Sequence, residues 1–228
     1  MENFLLFRNM SVMVVEDDIQ AAKHLQEIMD NIFAEVHLVH DGEAALELYY
    51  EKKPDLLLVD IMMPKKGGFE LIKEIRMHDP LIKIVIITAH SSHEYFREAL
   101  KLKTEDYLIK PVGFEDFIEV FSSISKQFQT RYPHLLSLLS GAEIHWFEKS
   151  VLYENQRYNL TKSEFKLLEL FVSKKNQIVS KDAIENVLYY GGSMSESALK
   201  SLINKLRQKI GKSSIETYSG YGYKLITQ

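Results

Sequence analysis

Four apolar runs in the first half of the chain each close on a polar, chemically capable residue. Leu56-Leu57-Leu58-Val59 ends at Asp60, and Val12-Met13-Val14-Val15 runs into Glu16-Asp17. Ile84-Val85-Ile86-Ile87 ends at Thr88, and Tyr107-Leu108-Ile109 ends at Lys110. Short continuous apolar runs closed by Pro and Gly are the pattern of strands buried on both faces, which occur in parallel sheets. Helical patterns fill the gaps between strands expected at 11–15, 35–39, 55–60, 83–88 and 106–109, and repeated βα units require helices on both faces of the sheet. The predicted apolar stripes are Ala21, Leu25, Ile28 and Met29, then Phe69, Ile72 and Ile75–Arg76, then Ile118, Phe121 and Ser122. Open α/β sheets bind ligands at the carboxyl ends of their strands. The strand-end residues are therefore the candidate site.

An acid pair, a lone acid, a hydroxyl and a lysine gathered there suit phosphoryl transfer to a carboxylate. Such a transfer needs an ionised acceptor, a cation on the phosphoryl oxygens and donors for the redistributing charge. Asp60 is the acceptor in this reading. Glu16, Asp17, Asp60 and the backbone carbonyl of Met62 supply oxygen ligands for Mg²⁺, a hard cation that prefers them. Thr88 supplies a hydroxyl donor and Lys110 a point charge. Met62 and His90 flank the site.

The texture changes after residue 125. Residues 1–125 hold 13 Lys+Arg against 23 Asp+Glu, a net −10, while 126–228 hold 15 against 9, a net +6. Only the second half is therefore suited to a polyanion. Residues 126–142, with Pro133 and Gly141, read as the end of a helix plus a linker. An alternating pattern over 144–160 predicts a small antiparallel sheet. Thr161-Lys162-Ser163-Glu164 forms a capping box ahead of a first helix, Ser180 caps a second and Ser195 a third that runs to Ile210. A hairpin follows around Gly220 and Gly222.

The third helix carries the nucleic-acid signal. Segment 200–212 has Lys200, Lys205, Arg207, Lys209 and Lys212 and no acid. Ala198, Leu199, Leu202, Ile203, Leu206 and Ile210 form its core stripe, which leaves Ser197, Lys200, Ser201, Asn204, Lys205 and Gln208 outward. A basic, amide-rich face suits the major groove: Asn204 and Ser201 for base edges, Lys200, Lys205 and Lys209 for phosphates.

Two resemblances sharpen these readings. VVEDD at 14–18, LLLVDIMMP at 56–64, ITA at 87–89 and DYLIKP at 106–111 resemble the receiver domain of two-component response regulators. That resemblance implies a flavodoxin-like, doubly wound, parallel five-stranded α/β fold of order 2-1-3-4-5. It implies Asp60 as phospho-acceptor, Thr88 and Tyr107 as a switch pair, and a Lys110–Pro111 bond that is often cis. Such a domain promotes only its own phosphotransfer and dephosphorylation and is not otherwise an enzyme. Rival enzymes that use an aspartyl phosphate commonly carry a second acid where Met62 stands.

LTKSEFKLLELF at 160–171, IVSKDAIENVL at 178–188, SESALKSLINKLRQKIG at 195–211 and IETYSGYGYKL at 215–225 resemble the winged-helix α+β domain of OmpR/PhoB-type regulators. The expected layout is a receiver at 1–125, a linker at 126–142 and a DNA-binding effector at 143–228. The expected DNA contacts are Ser197, Lys200, Ser201, Asn204, Lys205, Arg207, Gln208, Lys209, Thr217 and Ser219. The resemblance implies a cytoplasmic, phosphorylation-dependent transcription regulator. Its partners would be a sensor histidine kinase, double-stranded DNA, a second copy on phosphorylation and RNA polymerase. A rival reading keeps the DNA binding but makes the receiver a phosphorylation-independent dimerisation module. Departures from the family include Ser219 where the wing usually has Arg, and Leu102-Lys103-Thr104 where small residues usually stand. A further one is Val120, at the place of an Arg of the fifth helix that serves the charged dimer surface. No Cys is present, so disulfides and thiolate metal sites are excluded. No run approaches the roughly 18 apolar residues of a membrane span.

Overall fold

The computed structural model describes residues 6–131, 135–174, 176–189 and 194–227. The chain divides into two compact units, with the boundary between Phe128 and Gln129.

The first unit is a parallel five-stranded sheet of β1 (Ser11–Val15), β2 (Glu35–Val39), β3 (Leu56–Val59), β4 (Lys83–Thr88) and β5 (Asp106–Ile109). The strand order is β2-β1-β3-β4-β5, so the order reverses between β1 and β3. Successive side chains leave a strand on opposite faces, and here both faces are buried. Met13, Val15, Leu57, Val59, Ile84 and Ile86 pack with residues of α2 (Gly42–Lys52), α3 (Gly68–His78) and α4 (His93–Lys101). Val12, Val14, Leu56, Leu58, Val85 and Ile87, the alternate set, are also buried. An aromatic cluster joins the segments before β1 and after α1 (Ile19–Asp30) to α5 (Phe114–Arg131). Phe7, Phe33 and Phe121 have ring centroids 5.1–5.3 Å apart, and Phe117 stacks on Phe121 at 5.7 Å.

The helical stripes differ in phase from the expectation. Ala22, not Ala21, is the buried alanine of α1, and α3 buries Leu71 beside Ile72 and Ile75. Arg76 is spent on backbone carbonyls of Ile82, Leu102 and Lys103, which ties α3 to the β4 and β5 edges. Among the described side chains of α5, Phe117, Val120, Phe121, Ile124 and Ser125 are buried. Val120 is therefore a core residue, and its position offers no charge to a surface contact.

The second unit begins earlier than the expected linker allows. Residues 126–131 continue α5, and Leu135–Ser137 form β6, antiparallel to β7 (Glu143–His145). With β8 (Ser150–Tyr153) and β9 (Gln156–Asn159) they make a four-stranded antiparallel sheet. Three helices follow: α6 (Lys162–Ser173), α7 (Lys181–Leu188) and α8 (Glu196–Ile210). Thr161 and Glu164 close the expected capping box at α6, and the Ser180 and Ser195 hydroxyls accept from Ala183 and Ala198. The terminal hairpin, β11 (Ile215–Tyr218) and β12 (Gly222–Leu225), pairs with the two-residue β10 (Val179–Ser180) in the order β10-β12-β11. Trp146 is fully buried and meets Phe165 edge-on at 5.7 Å. The combination of helices and small antiparallel sheets is that of a winged helix.

Candidate functional site

Backbone bonds carry the sheet ladder one step past the strands. Glu16 N–H donates to Val39 O at 3.0 Å and Asp60 N–H to Val15 O at 2.9 Å. Both acids are thus fixed at rigid strand ends, where β1 and β3 leave the sheet side by side. Carboxylate oxygens of Glu16, Asp17 and Asp60 lie within 4.8 Å of one another. Glu16 and Asp60 are buried, while Asp17 is exposed. Lys110 reaches in from the end of β5 and donates from Nζ to Glu16 Oε2 and to Asp60 Oδ2, both at 2.6 Å. The remaining oxygen of Asp60 accepts from Met62 N–H at 2.9 Å. Gly68 is needed beneath this turn, because a Cβ there would lie 2.2 Å from the carbonyl oxygen of Asp60.

Burial pushes the Glu16 carboxyl above its ordinary value, and the Lys110 contacts offset this only in part. Burial also works against the Lys110 charge, but its hydrogen bonds to Asp60 and Glu16 win and hold its pKa above the ordinary lysine value. The ammonium is therefore charged throughout the physiological range. Three carboxylates so close together, with no sulfur or ring nitrogen among them, fit a hard divalent cation such as Mg²⁺.

Asp18, third in the run of acids, belongs to the helix instead. Its Oδ1 accepts from the N–H groups of Gln20 and Ala21 at 2.8 Å as the N-cap of α1, and these bonds hold its carboxyl below the usual value. Thr88 and Tyr107 meet through the backbone of one residue. Thr88 Oγ1, fully buried, accepts from His90 N–H at 3.3 Å, and the Tyr107 hydroxyl donates to His90 O at 2.6 Å. Burial, followed by nearby Tyr95 and Asp60, raises the Tyr107 pKa, so the hydroxyl stays a donor.

Two neighbours escape sequence reasoning. His40 holds Glu16 O through Nδ1 at 2.9 Å, and since a carbonyl only accepts, Nδ1 carries the proton. Tyr95 donates to the Met62 sulfur at 3.6 Å and packs on Phe69 and His90. The lone signal for His40 is its place at the end of β2; Tyr95, inside α4, carries none.

In the second unit Ser197, Lys200, Ser201, Asn204, Lys205 and Gln208 line one shallow depression on α8. Leu199, Ile203, Leu206 and Ile210 form the buried reverse of the helix. Lys200 forms an exposed ion pair with Glu196 at 3.2 Å. Two further expected contacts are engaged within the unit. Lys209 donates to Glu164 Oε2 at 2.7 Å and to Asn159 O at 2.8 Å. Arg207 donates to Ile215 O from Nε at 3.1 Å and from Nη2 at 2.7 Å, and to Thr217 Oγ1 at 2.8 Å. Both cations stitch α8 to the rest of the unit. Thr217 and Ser219 are exposed on the hairpin.

Residues 12–122 match the response regulator receiver domain, and residues 155–225 match the family described as transcriptional regulatory protein, C terminal. The chain is 30% identical over 219 residues to the transcriptional regulatory protein QseB of Haemophilus influenzae, covering 95% of this chain and 98% of that one. It is also 30% identical over 229 residues to KdpE of Staphylococcus aureus, covering 94% and 96% respectively. A receiver domain protein from Methanospirillum hungatei, 22% identical, superposes with a TM-score of 0.50 over 54% of this chain and 98% of that one, a likeness of fold. The chain belongs to the OmpR/PhoB-type response regulators. It is a two-component response regulator whose second unit is a DNA-binding transcriptional domain, and it is not a classical enzyme. No helix among the described residues is long and apolar enough to cross a membrane.

Proposed function

We propose that a sensor histidine kinase in the cytoplasm passes its phosphoryl group to Asp60 and so controls DNA binding by the second unit. The observation that carries this reading is the single Lys110 ammonium 2.6 Å from both Glu16 and Asp60, with Asp17 completing the acid group. In the transfer an Asp60 oxygen forms the new bond to phosphorus while the phosphorus–nitrogen bond to the kinase histidine breaks. The departing electron pair stays on the imidazole. Mg²⁺ held by Glu16, Asp17, Asp60 and the Met62 carbonyl would neutralise the phosphoryl oxygens. Lys110 keeps its charge and follows the transferred group, and the Met62 N–H holds the free carboxylate oxygen in place. The new group adds about −1.5 to −2 charges. Thr88 then turns toward it and gives up the His90 N–H. Tyr107 is tethered to the same residue and moves with the loop. The α4–β5–α5 face, residues about 92–122, rearranges and pairs with a second copy. The dimer binds duplex DNA and engages RNA polymerase. On α8, Lys200 and Lys205 contact phosphates, Ser201, Asn204 and Gln208 read base edges, and Ser197, Thr217 and Ser219 add polar contacts. Arg207 and Lys209 hold the frame.

Intact-mass measurement with acetyl phosphate tests the site. One phosphoryl group should be gained with Mg²⁺, none after chelation and none in Asp60→Asn; Asp17→Asn should fold, bind Mg²⁺ weakly and stay unmodified. Uptake that persists in Asp60→Asn, or without any divalent ion, overturns the assignment.

A further inference from the structure

The terminal hairpin lacks a cation at its tip but presents an exposed aromatic ring. Tyr221 is 75% exposed, more than any other large apolar side chain described. It ends the turn Tyr218-Ser219-Gly220-Tyr221, closed by Tyr221 N–H to Tyr218 O at 3.0 Å, with Gly220 at φ +79° where a side chain would be strained. The tip is held firmly. A Cβ on Gly222 would lie 2.0 Å from Val179 O, so β12 packs backbone against backbone on β10.

The same hairpin is joined to the basic helix. Arg207, on α8, makes three bonds to β11, and its Nη1 lies 3.5 Å from Asn204 Oδ1 on the recognition face. The α8 face and the hairpin are therefore one continuous, preorganised surface. Its charges lie away from the tip. The helix supplies Lys200, paired with Glu196 at 3.2 Å, and Lys205, while on the hairpin Glu216 stands opposite Lys224 and accepts from the Tyr218 hydroxyl at 2.9 Å. Ser219, Gly220 and Tyr221 carry no charge.

We propose that a DNA duplex seated on α8 is also gripped by Tyr221, through an uncharged contact of its ring with sugar edges and bases. This rests on the DNA-binding reading above and adds a residue and a chemistry to it. A tyrosine gives large contact area for two side-chain torsions, so a rigid tip loses little entropy on binding. Since no phosphate is neutralised, no counterion is released, and the contact is independent of salt.

The test is binding of the full chain, with beryllofluoride, to a fluorescent random-sequence duplex of about 30 base pairs across a series of KCl concentrations. Tyr221→Ala should weaken binding roughly tenfold at every salt concentration and leave the slope of log K against log salt unchanged. Tyr221→Phe should keep most of the affinity. Tyr221→Lys should steepen the slope by about one unit, because the new charge would meet phosphate. Lys205→Ala, which should flatten the slope, is the control. If Lys205→Ala behaves so but Tyr221→Ala binds like wild type, or Tyr221→Lys leaves the slope unaltered, the Tyr221 contact is overturned and the α8 reading stands. If the wild-type chain binds no duplex, both fall. Melting temperature checks that Tyr221→Ala is folded, as its exposure leads one to expect.

Discussion

A lysine's role on α8 depends on what its ammonium already holds. Lys205 is exposed on the outer face of α8, whereas Lys209 is clamped to Glu164, whose side chain is only 3% exposed. Lys205→Ala should lower affinity for all duplexes and cut the salt slope by about one unit, with stability unchanged. Lys209→Ala should instead cost about 3 kcal/mol in chemical denaturation, because a buried carboxylate loses its partner. A pH series gives the sign. Burial raises the Glu164 carboxyl, but Lys209 and the Thr161 backbone outweigh it, and the net shift is downward. A carboxyl depressed in the fold stabilises above its unfolded pKa and loses that contribution as pH falls through its folded pKa. Glu164→Gln should therefore be less stable at neutral pH and show a shallower acid limb. Sequence alone shows no partner for Lys209 because residues 200–212 hold no acid; its partner lies 45 positions away and is brought near only by folding. The strand-end acids were legible because strand ends advertise themselves locally, by an apolar run that stops.

Elements were legible in proportion to the length and contrast of their patterns. The five receiver strands sit where their apolar runs predict, β3 being one residue shorter at each end. The helices of the second unit start at the expected caps. Thr161→Ala should destabilise the unit by about 1 kcal/mol, since its hydroxyl and the Glu164 carboxylate satisfy two backbone donors at the start of α6. A denaturation midpoint unchanged by that substitution would deny the cap its role. Phase within helices was harder to read. In α5 both Phe117–Ile118 and Val120–Phe121 are apolar pairs, so the sequence permits two stripes and sheet packing selects one. The strands β6 and β10, three and two residues long, exist because β7 and β12 have open edges to pair with. No period can show in so few residues.

At the scale of the whole molecule, an acidic receiver unit is joined to a basic DNA-binding unit. The α4–β5 surface of the first unit bears exposed Phe96, Leu100 and Ile109, while Glu98 is occupied by Lys73 and Lys101 of its own chain. Dimerisation here should therefore depend on apolar contact. Sedimentation should show a monomer converting to a dimer with beryllofluoride, insensitively to salt, and Leu100→Asp should stay monomeric. The same oligomer with and without the mimic would instead mark a constitutive assembly. The pocket of the first unit has a further property, that of an electrical balance. Three carboxylates against the one ammonium of Lys110 leave two negative charges without counterpart. That deficit equals the charge of one divalent ion, so sodium or potassium leaves the pocket half compensated. By charge alone, one divalent ion would neutralise the pocket where a single monovalent ion would not, so raising KCl at fixed Mg²⁺ should displace little of the Mg²⁺ bound to the chain.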